Sequence, residues 1–347
     1  MTDNMPERRR RPRYHGKNPR RFSEKYKELN PDKYAEDVQK ILQSGKTPAG
    51  MHRSVMTEEI LSVLKPAPGE RGLDATLGYG GHAQLLLDKI RPGGQLWALD
   101  VDPIEIDRTR ARLRERGYGE EELKIQQLNF AGVSKLLGEA EDGFDFIVAD
   151  LGVSSMQLDN PERGFSYKAD GPLDLRLNPK RGQSAAAFLE KTQRDPLSQI
   201  LRFYSDEPYA EEIAEELCLK RGRIATTTAL ASAVRHALRK RSDELPETEV
   251  VRSIRRTFQT LRIQVNDELS ALEQFLRQLP GVLKGGGRAA VLSFHSGEDR
   301  RVAQALQEGF EQKVFTQIST TPIRAGRAEC YANPRASSAL LRWAVRS

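Results

Sequence analysis

The sequence predicts an α/β fold in which a mostly parallel sheet carries helices on both faces and a helical subdomain is inserted near its middle. An apolar strand runs into a glycine-rich turn and then a helix between residues 71 and 90. Strands and helices then alternate as far as Asp150, stop alternating, and resume near Val265. Such alternation is typical of parallel strands joined by helices, and the gap is too long for an ordinary connection.

The stretch RGLDATLGYGGH, residues 71–82, organises the predicted sheet. Residues 73–77 have the pattern of a buried strand, the glycines permit a sharp turn close to a ligand, and a helix follows over residues 82–90. A strand, a glycine turn and a helix N-terminus suit a nucleotide-like ligand with an anionic group. Gly78, Gly80 and Ala83 fit a G-x-G-x-x-A spacing, which does not separate a nicotinamide cofactor from S-adenosylmethionine.

Seven strands are predicted in all, the last two forming a hairpin-like edge. After the first strand they cover residues 95–99, 123–128, 144–149, 288–294, 313–318 and 339–345. Helices are predicted over residues 55–64, 82–90, 104–116, 131–137, 185–191, 196–204, 208–221, 228–241, 265–279 and 298–307. Residues 151–182, rich in Gly, Pro and Asp, form a loop that precedes the inserted helices.

Charge is concentrated at the start of the chain. The 347 residues have a formal net charge of +6, and residues 1–21 contain eight of the 55 Lys and Arg but only two of the 49 Asp and Glu. We predict that residues 1–45 form a basic, partly disordered extension suited to phosphate contact, with a tail that only raises solubility as the alternative.

The remaining composition predicts a globular protein of the cytoplasm. No apolar run approaches membrane-spanning length, so we expect no membrane association. Cys218 and Cys330 are far apart in the sequence, and the five histidines show no metal-ligand spacing. This argues against disulfides and a zinc site, and it fits a reducing compartment.

Three residues follow predicted strands and are candidates for the ligand site. Asp100 ends the second strand, a position at which a carboxylate can accept hydrogen bonds from the ribose hydroxyls of a nucleotide. Its alternative role is to cap the next helix. Phe130 follows the third strand and has the position of a ring that packs on adenine, although core packing is equally compatible with it. Asp150 ends the fourth strand, where ligands bind in open α/β sheets, and we favour this role over that of a loop cap.

The loop after Asp150 combines aromatic, acidic and guanidinium side chains, as a nucleobase pocket would; a lid over a small substrate is the alternative. Its candidates are Gln157, Asp159, Arg163, Phe165, Tyr167, Asp170, Asp174 and Arg176. In the inserted helices, basic residues recur near residues 220, 240 and 255. We favour an RNA-binding face, with ion pairs to the neighbouring glutamates as the alternative.

Over residues 52–347 the chain resembles the bacterial small-subunit ribosomal RNA cytosine-N4 methyltransferases of the MraW or RsmH type. The resemblance rests on several long motifs in one order: DATLGYGGH, LDVDP, LNF, DLGVSSMQLD, ERGFSY, DGPLDLRLN, TFQTLRIQVNDEL and SFHSGEDR. It implies a class I S-adenosylmethionine-dependent methyltransferase fold, a Rossmann-like seven-stranded sheet. Residues 46–155 and 256–347 would form the methyltransferase domain, and residues 156–255 an inserted substrate-recognition loop and helical subdomain.

The resemblance also implies the cofactor, the substrate and the site residues. The methyl donor is S-adenosylmethionine, and the acceptor is a cytidine of 16S ribosomal RNA in the decoding centre. The substrate is either the free RNA or the 30S particle. Residues expected to bind the donor are Gly80, Gly81, His82, Asp100, Phe130, Asp150 and Gln157. From the chemistry of the transfer, we also predict Asp150 as the catalytic residue that accepts from N4, with carbonyls of the adjoining turn as the alternative. Candidates for substrate contact are Arg163, Phe165, Tyr167, Asp174, Arg176 and His295.

Some positions depart from the family pattern, and they keep alternatives open. Asn178, Gly297 and Met156 replace an acidic residue, a leucine and a proline, and Tyr204 begins a run that differs from the usual Tyr-Gly-Glu. The alternatives are a divergent paralogue that methylates another RNA nucleotide, a noncatalytic ribosomal RNA-binding assembly factor, or a nicotinamide dehydrogenase. A homodimer is a candidate assembly state.

Overall fold

Eight strands form the central sheet of the computed structural model, which describes residues 54–140, 142–242 and 244–347. The strands are β1 (Arg71–Asp74), β2 (Gln95–Asp100), β3 (Leu123–Gln127), β4 (Phe144–Asp150), β5 (Leu283–Ser293), β6 (Phe315–Ile318), β7 (Ile323–Arg324) and β8 (Leu340–Arg346). Inner strands such as β2 and β4 contain a continuous run of four buried apolar residues, as expected for strands covered on both faces.

The strand order is β3-β2-β1-β4-β5-β8-β6, and β7 pairs with β8. Strands β1 to β5 run parallel, whereas β8 runs antiparallel to β5, β6 and β7. The order reverses between β1 and β4, and this is the place where open α/β sheets bind ligands, beyond the carboxyl ends of the strands. The glycine turn, Asp100 and Asp150 all follow strands that end at this edge.

Helices cover both faces of the sheet and build a separate unit between β4 and β5. They are α1 (Thr57–Leu64), α2 (Gly81–Ile90), α3 (Pro103–Glu115), α4 (Ser155–Asp159), α5 (Ala185–Lys191), α6 (Arg194–Ser205), α7 (Ala210–Leu219), α8 (Thr227–Arg241), α9 (Glu247–Asn266), α10 (Glu268–Val282), α11 (Ser296–Glu311) and α12 (Arg327–Ala332). Apolar side chains of α1, α2 and α3 pack on one face, and those of α10 and α11 pack on the other.

Helices α5 to α9 pack around a hydrophobic cluster of their own. Leu189, Leu201, Ile213, Leu230 and Ile254 are each at most 5% exposed and belong to this cluster. Helix α9 contributes to this cluster, and α10, which follows it directly, packs on the sheet. Burial of this apolar surface, at about 25 cal/mol per Å², stabilises the helices against each other.

The predicted strands are all present, and the fold is the expected α/β fold. Strand β7 was not predicted, because two residues are too few to show an alternating pattern. The helix predicted over residues 265–279 is present as α10, which begins at Glu268. Helix α9 before it was not predicted. The two helices meet at Asp267, whose φ of 51° is left-handed and breaks the helical path. Helix α9 also runs through residue 255, the predicted end of the insertion.

Other expectations differ in detail or cannot be placed. The helix predicted over residues 131–137 is a 3-10 helix, Phe130–Gly138. The basic extension predicted for residues 1–45 lies outside the described residues. Within the part of the chain that is described, no helix combines the length and apolar character needed to cross a bilayer.

Candidate active site

The glycine turn joins β1 to α2 at the carboxyl edge of the sheet. Gly78 and Gly80 have φ angles of 47° and 77°, which favour glycine. A Cβ atom on Gly80 would lie 2.8 Å from Cγ2 of Thr109, and the Thr109 hydroxyl donates to the Gly78 carbonyl oxygen at 2.7 Å. The turn is therefore packed against α3, and α2 begins beside it at Gly81.

Asp100 fastens this turn to the end of β2. Its carboxylate accepts hydrogen bonds from the backbone N–H of Gly78 at 2.7 Å and of Asp102 at 2.9 Å. Burial raises the pKa of Asp100 to about 6, although the backbone hydrogen bonds oppose the shift. Each carboxylate oxygen can accept a second hydrogen bond, so that ribose hydroxyls can still be bound by the group.

Three carboxylates lie at the ends of adjacent strands, and we call Asp74, Asp100 and Asp150 the carboxylate cluster. Asp74, which was not predicted, ends β1 and is 1% exposed. One of its oxygens accepts from the Thr76 N–H at 3.0 Å, and the other has no hydrogen-bond partner in the structure. Burial, with the charges of Asp150 and Asp100, raises its pKa to about 6.

His82 lies between members of the carboxylate cluster. Its side chain is 7% exposed, and Nε2 is 3.5 Å from Oδ2 of Asp150. Burial alone would lower the pKa of the imidazole, but Asp150 and Asp74 raise it above the usual value. The Asp150 backbone N–H donates to the Thr76 hydroxyl at 2.6 Å, which fixes the end of β4 beside β1.

The cluster has unused hydrogen-bonding capacity that points to a ligand. Oδ2 of Asp74, Oδ1 of Asp150 and Nε2 of His82 are buried and make no hydrogen bond with the described residues. Buried carboxylate oxygens without a hydrogen-bond partner are rare, because losing hydration is costly. A cationic ligand with N–H or O–H donors would satisfy the two carboxylate oxygens.

Phe130 begins the 3-10 helix after β3 and is half-buried. Its ring packs edge to face on Phe275 with centroids 5.4 Å apart. This places an aromatic ring on the sheet side that carries α10, and packing on adenine stays a prediction.

A buried polar network connects the loop after β4 to α3. Asp102 is completely buried, and its Oδ1 caps α3 by accepting from the Ile104 N–H at 3.0 Å. Its Oδ2 accepts from Gln157 Nε2 at 2.8 Å and from an Arg163 guanidinium nitrogen at 2.7 Å. The sequence did not predict these two long-range partners.

Gln157 and Arg163 have structural roles in this network. Gln157 also accepts from the Ser154 N–H at 2.8 Å in a capping box that starts α4. Arg163 is 7% exposed and donates to the carbonyl oxygens of Arg176 and Leu177. Arg163 was a candidate for substrate contact, whereas here its guanidinium holds the loop together.

The two aromatic candidates of the loop pack toward the inserted helices. Phe165 is 6% exposed and belongs to the helical cluster. The Tyr167 ring packs on Phe258 with centroids 5.8 Å apart. The predicted stacking of Phe165 on a base conflicts with this placement, because the ring is buried in the apolar core of the inserted helices and has little exposed surface for stacking.

The remaining substrate candidates are engaged with neighbours. Asp174 pairs with Arg176 at 2.7 Å; burial alone would raise the pKa of Asp174, but the Arg176 hydrogen bonds and charge lower it. His295 caps α11, where its Nδ1 accepts from the Glu298 N–H at 3.3 Å. His295 lies just beyond β5, at the same sheet edge as the carboxylate cluster.

The basic groups of the inserted helices are mostly paired, contrary to the RNA-binding face that we favoured. Glutamates on the same helix or on adjacent helices neutralise their charge. The pairs are Lys220–Glu216, Arg235–Glu247, Arg239–Glu247, Arg241–Glu212, Arg252–Glu249, Arg256–Glu249 and Arg262–Glu268. Surface pairs of this kind give little net charge for phosphate contact.

The described ranges contain no group of three His, Cys, Asp or Glu side chains that could hold a metal ion. The carboxylate cluster offers acceptors for a cation and for hydroxyls, beside a glycine turn and a helix N-terminus.

Comparisons with known proteins identify the family. The sequence profile of the MraW methylase family matches residues 49–347. "Ribosomal RNA small subunit methyltransferase H 1" of Agathobacter rectalis is 50% identical over 345 residues, covering 97% of each chain. "Ribosomal RNA small subunit methyltransferase H 2" of Alkaliphilus metalliredigens is 49% identical and covers 100% of both chains.

A more distant relative covers less of this chain. "Ribosomal RNA small subunit methyltransferase H" of Leptothrix cholodnii is 39% identical and covers 85% of this chain and 93% of its own. The Alkaliphilus relative, in contrast, spans this chain from end to end, including residues 1–45. The fold, the site at the sheet edge and these similarities agree: the chain belongs to the MraW methylase family and is an S-adenosylmethionine-dependent methyltransferase.

Proposed function

We propose that the enzyme transfers the methyl group of S-adenosylmethionine to N4 of a cytidine in the decoding centre of small-subunit ribosomal RNA. The observation that carries the proposal is the carboxylate cluster with His82, which provides unsatisfied buried acceptors at the ligand-binding edge of a methyltransferase sheet. The names of the relatives supply the class of RNA.

The residues at the sheet edge fit the donor. S-adenosylmethionine supplies a methyl group made electrophilic by a positively charged sulfur. Asp74 and Asp150 are suited to its positive charge and amine hydrogens. Asp100 is suited to its ribose hydroxyls, and the turn at Gly80 and Gly81 allows the backbone to approach the donor closely. Phe130 would pack on the adenine, and Gln157 would hold the turn after β4 through its capping box.

Asp150 would orient the acceptor. The lone pair of cytosine N4 is delocalised into the ring, so the amine attacks only when it is held in line with the methyl group. A carboxylate that accepts an N4 hydrogen bond localises the lone pair. As the N–C bond forms and the S–C bond electrons move to sulfur, N4 loses a proton, which Asp150 can accept with His82 beside it at 3.5 Å.

The cellular setting is part of the same proposal. The substrate is free 16S ribosomal RNA or the 30S particle, in the cytoplasm. We assign methyl transfer to residues 46–155 and to the chain from α10 onward. We assign recognition of substrate to residues 156–266, because α9 packs with the inserted helices. Light scattering of the purified protein distinguishes a monomer from the homodimer that we considered.

A transfer assay with one variant tests the proposal. Purified enzyme is incubated with labelled S-adenosylmethionine and 30S subunits that lack the modification, and nucleosides are separated by mass spectrometry. We expect N4-methylcytidine with the native enzyme and a rate at least about 100-fold lower for Asp150→Asn, as for loss of a general base. Asp107→Asn, on the exposed face of α3, is the matched control.

Two results would contradict the proposal. Donor binding at native affinity together with an undiminished rate for Asp150→Asn would exclude the role of that carboxylate. Methylation of another atom, or of no RNA at all, would exclude the proposed acceptor.

A further inference from the structure

Strand β7 and the residues that connect it to β8, residues 323–339, lie at the active-site edge of the sheet. Ser293, the last residue of β5, is paired with Leu340, the first residue of β8. Because β8 runs antiparallel, the chain that enters it arrives at the carboxyl ends of the parallel strands. We call residues 323–339 the edge segment.

Specific contacts hold the edge segment beside the carboxylate cluster. Glu329 accepts the Met56 backbone N–H at 2.7 Å, and its charge contributes to the raised pKa of His82. Arg335 is 3.5 Å from Asp159, at the end of α4. Ala336 and Ala339 of the edge segment are each 1% exposed in the apolar layer under the sheet.

The outer face of the edge segment is aromatic and cationic. Tyr331 is 93% exposed, the most exposed of the large hydrophobic side chains in the described residues. Arg324 and Arg327 are also exposed. Neither makes an ion pair or a side-chain hydrogen bond with any described residue, in contrast to most arginines of the inserted helices.

We propose that this face binds single-stranded RNA next to the target cytidine. Tyr331 stacks on a base, and Arg324 and Arg327 contact the phosphates on either side. A rigidly anchored segment with an exposed ring and unpaired guanidinium groups is how proteins hold unpaired nucleotides. A base that must enter the site is unstacked, and its neighbours need a new stacking surface. The inference rests on the proposed function, since it assumes an RNA substrate.

Binding of protein-free 16S ribosomal RNA tests the stacking. We expect Tyr331→Ala to raise the dissociation constant about 5- to 150-fold, the range found for base stacking on aromatic rings. Tyr331→Phe keeps the ring and should bind RNA like the native protein. Affinity for S-adenosylhomocysteine, measured by calorimetry, should be unchanged in both variants.

The salt dependence tests the phosphate contacts. The double variant Arg324→Gln/Arg327→Gln should lower the slope of log affinity against log salt by about 1.4, at about 0.7 for each single-strand phosphate contact.

Phe310→Ala is the matched aromatic control for Tyr331→Ala. Phe310 is 44% exposed near the end of α11, just before β6, whose Phe315 pairs with Arg346 at the opposite sheet edge.

Failures of the two proposals are distinguishable. If the native enzyme methylates 30S subunits but Tyr331→Ala binds ribosomal RNA normally, the edge-segment inference is wrong and the proposed function stands. The inference is also wrong if Tyr331→Ala weakens binding to 30S particles but not to protein-free RNA, because the partner would then be a ribosomal protein. If the native enzyme methylates no RNA, the proposed function itself fails.

Discussion

Replacing Asp102 tests the buried network that joins the loop after β4 to α3. Asp102 is 0% exposed and holds the helix cap with one oxygen and Gln157 and Arg163 with the other. In Asp102→Ala the Arg163 guanidinium, itself 7% exposed, loses its only carboxylate partner among the described residues. The variant therefore leaves a buried positive charge uncompensated.

The expected destabilisation follows from these contacts. Removing one partner of a buried ion pair costs about 3–5 kcal/mol, and losing an N-cap costs about 1 kcal/mol. We expect Asp102→Ala to lower the free energy of unfolding by about 4–6 kcal/mol. The double variant Asp102→Ala/Arg163→Met removes both charges, so it should be less destabilised than Asp102→Ala alone.

Urea unfolding followed by tryptophan fluorescence measures both effects. The two tryptophans, Trp97 in β2 and Trp343 in β8, report on the sheet. Asp107→Ala, on the exposed side of the same helix, should change stability by less than about 0.5 kcal/mol. The network would be refuted by a loss below about 1 kcal/mol for Asp102→Ala, or by a double variant at least as destabilised as Asp102→Ala.

Three further predictions concern the donor site. Asp100→Asn should weaken binding of S-adenosylhomocysteine about 10- to 100-fold in calorimetry, since hydrogen bonds to charged groups are worth about 1.5–3 kcal/mol; unchanged affinity would exclude the ribose contact. Burial raises the pKa of Asp74 from 3.8 to about 6, so the stability it contributes is complete below pH 3.8 and lost as the pH rises through 6. The free energy of unfolding of Asp74→Asn, measured with urea, should therefore rise by about 1–3 kcal/mol relative to that of the native protein between pH 4 and pH 7.5. A difference between the two proteins that does not change with pH would contradict this. Gly80→Ala should cost about 1–3 kcal/mol of stability, more than Gly117→Ala, because both have positive φ but only Gly80 faces Thr109; equal melting temperatures would argue against the close packing.

The sheet and its ligand edge were predictable because their signals are local. The glycine turn, the strand-end position of Asp100 and the strand-end position of Asp150 each occupy a few consecutive residues. Parallel strands bring their carboxyl ends to one edge, so three separate stretches were expected to converge. Strand β7 gave no such signal, because Ile323–Arg324 pairs with β8 only through tertiary context.

Side-chain partners far apart in sequence were not predictable. Asp102 bonds Gln157 and Arg163 across 55 and 61 residues, and no spacing rule indicates such pairs. Phe165 was expected at a binding surface, but the helices that bury it come from a different part of the chain. Composition likewise showed basic clusters in the insertion without showing that glutamates on adjacent helices neutralise them.

One measurement tests methylation of the proposed acceptor most directly: mass-spectrometric mapping of modified cytidines in 16S ribosomal RNA from cells with and without this protein. We expect one N4-methylated cytidine in the decoding centre to be present with the protein and absent without it, and to return when the native gene but not an Asp150→Asn variant is supplied. If every N4-methylated cytidine persists without the protein, the proposed acceptor is wrong, and only the fold and the donor site remain supported.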